Sequence, residues 1–120
     1  MLFPIAYPKP EVAVITVTVK VFGVSPDTLG IREQVQELLR EKKVQHFVLD
    51  LQHVDWMNSS GLGLLISLLK YIRDADCTLA LLCVSGKVEG ILLNTKLDKV
   101  LQSYPTLDMY LEALHTQPAR

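Results

Sequence analysis

Apolar and polar side chains alternate over residues 12–21, which predicts a strand with one buried and one solvated face. Its apolar face comprises Ile15, Val17, Val19 and Val21, and its polar face comprises Thr16, Thr18 and Lys20. Gly23 then ends the strand. The run Ser25-Pro26-Asp27 predicts a helix start, because the serine oxygen can cap free N–H groups and proline suits the first helical position.

The first predicted helix has apolar side chains at helical spacing and ends near Lys43. Its apolar stripe comprises Ile31, Val35, Leu38 and Leu39, and its water-facing residues comprise Glu33, Gln34, Glu37, Arg40 and Glu41. Residues 46–51 and 77–84 are short, almost wholly apolar runs, as expected for strands that are buried on both faces of a parallel sheet.

A second helical pattern over residues 60–73 lies between these two buried strands, so strand, helix and strand predict a right-handed crossover unit. Its predicted core stripe comprises Leu62, Leu65, Ile66, Leu69 and Ile72. Two further helical patterns cover residues 87–93 and 106–114. The predicted fold class is therefore α/β, with a mixed, mostly parallel sheet of four to five strands and about four helices packed on it.

The chain has 120 residues, which is the size of a single domain. Residues 1–10 contain three prolines and predict a loosely held N-terminal extension, residues 11–115 the folded domain, and residues 116–120 a loose tail. No apolar run reaches the ~20 residues of a membrane span, because Lys70 and Arg73 end the run that begins at Leu62. We expect a cytoplasmic protein without a secretion signal or direct membrane insertion.

The net charge of -1 argues against nucleic-acid binding, which requires a concentrated basic surface. Cys77 and Cys83 lack the spacing and the histidine neighbours of a zinc site, so we expect buried, reduced thiols. No metal or other cofactor is predicted.

The turn Asn58-Ser59-Ser60-Gly61-Leu62-Gly63 is the candidate functional site. It follows a buried parallel strand, and functional groups gather outside the carboxyl ends of such strands. It also opens a helix, whose N-terminus would favour a phosphate on Ser59 by ~0.3–1 kcal/mol. The bland alternative is that Asn58 and the serines only cap the helix, while Gly61 and Gly63 allow close packing.

A second apolar stripe on this helix predicts a docking face for a partner protein. It comprises Leu64, Leu68 and Tyr71, with Trp56 beside it. A phosphate at Ser59 would have to be desolvated at the edge of that face, which would reduce affinity by ~10²-fold or more. The turn could thus switch association on and off.

Two other chemical roles for the turn find weaker support. A hydrolase would use Ser59 with His53 and either Asp50 or Asp55, but Met57 stands where a nucleophile elbow needs glycine. A nucleotide site would need a Gly-Lys-Ser/Thr ending, and Lys70 lies too far along the helix to reach a phosphate at its start. We therefore predict a binding protein that is not an enzyme.

The chain resembles the STAS domain family, which includes the standalone anti-sigma factor antagonists. The resemblance rests on the buried strand Phe47-Val48-Leu49-Asp50-Leu51, on Val54-Asp55-Trp56-Met57, and on the turn that follows. It extends to Gly23 and Asp27, to Leu97-Asp98-Lys99-Val100 and to the closing helix, and it covers about residues 11–114.

The resemblance implies that Ser59 is phosphorylated by the partner, an anti-sigma factor that is also a serine kinase of the GHKL type. The unmodified antagonist would bind that partner and free a sigma factor for transcription. Phosphorylation would release the antagonist, and a PP2C-type phosphatase would restore it. We expect a monomer or weak dimer. The surroundings of the phosphorylation site would comprise Asn58, Ser60, Gly61, Leu62, Gly63, Gly23 and Asp27.

Asn58 departs from the family pattern, which most often has aspartate before the phosphorylated serine. Asparagine keeps the size and hydrogen bonding of that residue but removes its charge. The sequence therefore also allows a binding module of the same fold that is never phosphorylated, such as a subunit of a signalling complex or a lipid-transport accessory.

Overall fold

A computed structural model describes residues 3–116, which form seven strands and four α-helices. The strands are β1 Ile5–Lys9, β2 Val12–Thr16, β3 Val21–Phe22, β4 His46–Asp50, β5 Trp56–Met57, β6 Thr78–Leu82 and β7 Ser103–Tyr104. The helices are α1 Pro26–Glu41, α2 Ser59–Asp74, α3 Gly86–Asn94 and α4 Leu107–Thr116, with a 3₁₀ turn at Leu97–Lys99.

Five strands form the main sheet in the order β1-β2-β4-β6-β7. β1 runs antiparallel to β2, and the other neighbours are parallel. The prediction of a mixed, mostly parallel α/β sheet is confirmed. β3 and β5 lie outside this sheet and pair with each other as a short parallel ribbon.

Apolar clusters cover both faces of the sheet. Phe47 and Leu49 of β4 belong to the larger cluster, which also contains the buried apolar side chains of α1, α2 and α3. Val48 points to the other face and belongs to a smaller cluster with Tyr110 of α4. Burial on both faces explains why β4 is apolar at consecutive positions instead of alternating.

The structure corrects the predicted half-solvated strand over residues 12–21. β2 ends at Thr16, and its residues Val12, Ala13, Val14 and Ile15 are all buried, so both of its faces are covered. Val21 belongs to β3 and is exposed. The alternation therefore runs across two separate strands and the segment that joins them.

The structure also corrects the expectation of a loosely held N-terminal extension for residues 3–10, whereas residues 1 and 2 lie outside the described residues. β1 lies in the sheet, Phe3 is buried, and Gln34 holds its backbone. The Phe3 N–H donates to Gln34 Oε1 at 3.2 Å, and Gln34 Nε2 donates to the Phe3 carbonyl oxygen at 2.8 Å. Gln34 is therefore buried, and the prediction that it faces water is wrong. The predicted loose tail lies outside the described residues from position 117 onwards.

The predicted start of α1 is confirmed. Ser25 is the N-cap, its hydroxyl accepts a hydrogen bond from the Thr28 N–H, and Pro26 is the first helical residue. Thr28 completes a capping box, since its own side chain accepts from the Ser25 N–H at 2.8 Å. These caps fix where the chain leaves β3 and enters α1.

The first turn of α2 lies directly against β3. A Cβ atom on Gly61 would overlap the carbonyl oxygen of Phe22, whereas a Cβ atom on Gly63 would meet open space. Of Gly61 and Gly63, only Gly61 is therefore required for close packing. Only a residue without a side chain lets α2 approach the backbone of β3 this closely.

We predict that Gly61→Ala lowers the free energy of unfolding by at least about 2 kcal/mol, because the backbone of β3 must move. Gly63→Ala is the matched control in the same helical turn, and it should stabilise the protein by about 0.5–1 kcal/mol through helix propensity. Urea denaturation followed by circular dichroism measures both. Equal effects of the two substitutions would contradict the packing described here.

Candidate functional site

The predicted site lies between β5 and the start of α2, and the β3–β5 ribbon holds it. Val21 pairs with Trp56 and Phe22 with Met57 in this ribbon. The Asn58 N–H continues the ribbon by donating to the Phe22 carbonyl oxygen at 3.2 Å. Phe22 and Met57 are buried, so the ribbon is anchored in the core.

Asn58 organises the turn as the N-cap of α2. Its Oδ1 accepts hydrogen bonds from the Gly61 N–H at 2.9 Å and from the Ser60 hydroxyl at 2.7 Å. A Cβ atom on Gly23 would overlap the Asn58 amide group, so Gly23 makes room for this side chain. The capping alternative is therefore correct for Asn58, and Gly23 belongs to the same packed unit.

The two adjacent serines have different roles. The Ser60 hydroxyl accepts a hydrogen bond from the Val24 N–H at 3.0 Å and donates to Asn58. Ser59 is the first residue of α2 and is exposed, and its hydroxyl has no hydrogen-bond partner among residues 3–116. Ser60 thus joins the turn to the segment before α1, while the Ser59 hydroxyl is accessible to another protein.

The predicted docking face on α2 is wrong at two positions. Leu64 and Leu68 are only 5% and 2% exposed, and both belong to the core. Ile66, which the sequence assigned to the core stripe, is 45% exposed, as is Tyr71. The reason is that α2 packs against α1 as well as against the sheet, which widens its buried arc and rotates it towards α1.

The exposed surface of α2 starts at the candidate serine. Ser59, Gly63, Ile66 and Lys70 follow one another at helical spacing and are all exposed, with Tyr71 beside them. We call these five residues the α2 face. Gly63 leaves the helix backbone bare between Ser59 and Ile66, so a partner can approach closely there.

Other apolar side chains are exposed near the turn. Val21 and Trp56 are opposite each other on the outer side of the ribbon, and Val24 follows Gly23. Trp56 was predicted as part of the docking face, whereas Val21 and Val24 were not. The sequence does not show that Val21 and Val24 are exposed, because apolar residues before a helix have the same pattern as the end of a buried strand.

Leu62 and Asp27 flank the site, and within residues 3–116 their side chains form none of its hydrogen bonds, although the Leu62 N–H donates to the Asn58 carbonyl oxygen at 2.9 Å. Leu62 is half-buried against the core. Asp27 is an exposed residue in the first turn of α1, and within residues 3–116 its carboxylate makes no hydrogen bond to the turn. Asp27 is therefore near the segment that Ser60 holds, but it does not shape the turn itself.

The residues of the hydrolase alternative are not assembled around Ser59. His53 is exposed and shares no hydrogen bond with Ser59 in the described part of the chain. Asp50 instead accepts hydrogen bonds from the backbone and side chain of Gln52. No group of three or more His, Cys, Asp or Glu side chains within residues 3–116 could hold a metal ion.

A family model for the STAS domain matches residues 4–109, which include all seven strands, the whole of α1, α2 and α3, and the first residues of α4. The chain belongs to the STAS domain family. Its five-stranded mixed sheet and four helices are the STAS fold that the resemblance implied. None of the helices within residues 3–116 has the length and apolar character that a bilayer span requires.

One curated relative is the anti-sigma F factor antagonist of Paenibacillus polymyxa. It is 30% identical over 74 residues, which cover 62% of this chain and 63% of the relative. The match therefore spans less than two thirds of that relative's length.

Solved structures of STAS proteins share the fold at low sequence identity. A candidate anti-sigma factor antagonist of Thermotoga maritima aligns with a TM-score of 0.78 at 23% identity, covering 94% of each chain. The anti-sigma factor antagonist SpoIIAA in its unphosphorylated form aligns with a TM-score of 0.78 at 16% identity, covering 98% of this chain and 99% of that one. The phosphorylated form of SpoIIAA, from Bacillus, has a TM-score of 0.69 at 16% identity and coverages of 93% and 98%.

We predict that the residues of the turn differ in their effect on stability. Asn58→Ala should cost about 1 kcal/mol, because the N-cap is lost. Asn58→Asp keeps both acceptor interactions and adds a favourable charge, so it should stabilise by about 0.3–1 kcal/mol.

Ser59→Ala is the control, because the exposed Ser59 hydroxyl bonds to nothing in the described chain, and it should stay within about 0.5 kcal/mol of the original. Thermal and urea unfolding compare the three variants. If Ser59→Ala lowered the free energy of unfolding more than Asn58→Ala, Asn58 would not be the residue that stabilises the turn.

Proposed function

We propose that this chain is an anti-sigma factor antagonist, acting in the cytoplasm without catalytic activity of its own. Its α2 face and the neighbouring ribbon bind an anti-sigma factor, which releases a sigma factor for transcription. The bound partner is also a serine kinase of the GHKL type and phosphorylates Ser59, which ends the association. A PP2C-type phosphatase removes the phosphate and restores binding.

The observation that carries this proposal is the difference between the two serines. Ser59 is exposed and its hydroxyl is without a partner in the described chain, whereas hydrogen bonds to Val24 and Asn58 hold the Ser60 hydroxyl. A kinase can reach the Ser59 hydroxyl without disturbing a bond that the fold uses. The N-terminus of α2 also favours a phosphate there by ~0.3–1 kcal/mol.

The position of Ser59 explains how phosphorylation would act on binding. Ser59 and the exposed Ile66 lie on one stripe of α2, about 10 Å apart along the helix axis. A phosphate adds nearly two negative charges at the start of that stripe. A partner that covers Ile66 would have to desolvate this charge, so the complex would weaken while the fold stays intact.

The comparisons support this assignment at the level of the family. The Paenibacillus polymyxa relative is an antagonist of an anti-sigma F factor, and SpoIIAA is an antagonist with both an unphosphorylated and a phosphorylated form. We extend both properties to this chain, because the first serine of its turn is exposed at the start of a helix and its hydroxyl makes no hydrogen bond within residues 3–116.

Asn58 favours a second candidate, a STAS module that binds a partner but is never phosphorylated. Its Oδ1 caps α2 as an aspartate carboxylate would, so the amide satisfies the structural role of this position. The amide lacks the charge that could orient a metal-bound phosphate donor. The binding surface is the same for both candidates, and only the modification of Ser59 separates them.

We predict that Ser59→Asp weakens partner binding by about 100-fold or more, because it places a charge at the start of the α2 face. Ser103→Asp is the matched control, since Ser103 is exposed on β7 and belongs neither to the α2 face nor to the β3–β5 ribbon. The measurement is calorimetric titration of each variant with the anti-sigma factor that co-purifies with the chain. An equally stable complex for both variants would favour the unphosphorylated module.

The same partner, supplied with ATP and Mg²⁺, tests the modification itself. Mass spectrometry should find one phosphate on the original chain and on Ser60→Ala, and none on Ser59→Ala. Failure to modify the original chain, with binding intact, would contradict the switch but keep the docking surface.

We predict that Ile66→Ala weakens partner binding about tenfold, because Ile66 is the large exposed apolar side chain on the Ser59 stripe. Met109→Ala is the control, since Met109 is similarly exposed but lies on α4, on the opposite face of the sheet. Both variants should unfold at the same temperature as the original chain within a few degrees. Equal affinities for the two variants would place the docking surface elsewhere.

A further inference from the structure

Residues 23–25 connect the β3–β5 ribbon to α1 and lie beside the start of α2. The middle residue of this segment, Val24, is 52% exposed, so its side chain is available to another protein. Its two neighbours are held from the α1 side, because the Thr28 hydroxyl donates to the Gly23 carbonyl oxygen and accepts from the Ser25 N–H. The Val24 N–H is bonded to α2 instead.

Ser60 makes the hydrogen bond that ties this segment to α2. Its hydroxyl accepts from the Val24 N–H at 3.0 Å and donates to Asn58 Oδ1 at 2.7 Å, so it uses both of its hydrogen-bonding roles. Within residues 3–116, the bond from Val24 to Ser60 is the only hydrogen bond between residues 23–25 and α2. Alanine could make neither bond of Ser60, whereas threonine carries the same hydroxyl.

The Ser60 hydroxyl is itself held in place at the start of α2. Asn58 Oδ1, which accepts from Ser60, also accepts from the Gly61 N–H at 2.9 Å as the N-cap of α2. Gly61 in turn lies against the Phe22 carbonyl oxygen, where no Cβ atom would fit. The contact that seats α2 on β3 therefore also fixes Ser60, and Ser60 can restrain Val24.

This bond sets the spacing between two exposed apolar side chains. Val24 lies on the segment before α1, and Ile66, which is 45% exposed, lies on the α2 face. A partner that covers both must match their relative position, and a surface that is already ordered loses less conformational freedom on binding. Without the Ser60 hydroxyl, the packing of α2 still fixes Ile66, but the Val24 N–H loses its bond to α2.

We propose that Ser60 is a positioning residue, which holds Val24 in place relative to the α2 face so that the anti-sigma factor contacts both as one preformed surface. The inference rests on the proposed function for the identity of the partner, and it adds Val24 to the residues that the partner contacts. Ser59 would receive the phosphate, whereas Ser60 fixes the shape of the surface around it.

The first test needs no partner. Solvent exchange of backbone amides is measured by NMR on the ¹⁵N-labelled original chain and on Ser60→Ala, Ser60→Thr and Ser103→Ala, the last at an exposed site on β7. The Val24 amide should exchange at least about tenfold faster in Ser60→Ala and at the original rate in the other two variants. The Leu62 amide, which donates to the Asn58 carbonyl oxygen at 2.9 Å, should keep its rate in all of them. An unchanged Val24 rate in Ser60→Ala would overturn the proposal.

The second test is a double-mutant cycle, measured by calorimetric titration with the anti-sigma factor that co-purifies with the chain. Ser60→Ala and Val24→Ala should each weaken binding about fivefold, and the double variant no more than about tenfold, because a loosened Val24 contributes less to the contact. Ser60→Ala combined with Ile66→Ala should instead multiply the two separate effects. Ser60→Thr should bind as the original chain does, because it restores the hydroxyl.

The outcomes separate this inference from the proposed function. Unchanged affinity in Ser60→Ala or in Val24→Ala, or separate effects that multiply in full in their double variant, would overturn the role of Ser60 while Ser59→Asp and Ile66→Ala still weaken the complex. If Ser59→Asp and Ile66→Ala bind as the original chain does, the docking surface itself is wrong, and this inference fails with it.

Discussion

The contact between Gly61 and the backbone of Phe22 determines where the candidate functional turn lies. It seats the first turn of α2 on β3, and the β3–β5 ribbon extends this contact through the hydrogen bond from the Asn58 N–H to the Phe22 carbonyl oxygen. Because Phe22 and Met57 are buried, the turn is fixed relative to the core. The single side chain of the turn that the fold does not use is Ser59, and it is left facing solvent.

The residues that stabilise the turn are different from the residue that would carry an added charge. The bonds that hold the turn come from Asn58 and Ser60, and they lie on the side of the helix that faces β3 and the segment before α1. A group added to Ser59 would alter the potential over the α2 face without removing any of those bonds. A switch of this kind needs no change of conformation, because the partner contacts the surface whose charge has changed.

The sequence predicted the four helices, the buried strands β4 and β6 and the turn, because local signals define them. The Ser25 cap, the apolar strand β4 and the serine turn all depend on neighbouring residues. It failed where burial depends on distant segments. Ile66 and Leu68 are equally apolar, and only the packing of α1 decides which of them faces water. Gln34 is buried because Phe3, thirty-one positions away, bonds to it.

The central claim is that a phosphate on Ser59 changes the surface of the protein and leaves its fold unchanged. The most direct measurement compares ¹H–¹⁵N spectra of the original chain and of a chain with phosphoserine placed at position 59 during synthesis. The account predicts amide shifts confined to the β3–β5 ribbon, the segment before α1 and the first turns of α2. Shifts that spread through the amides of β4 and β6, or loss of a dispersed spectrum, would contradict it.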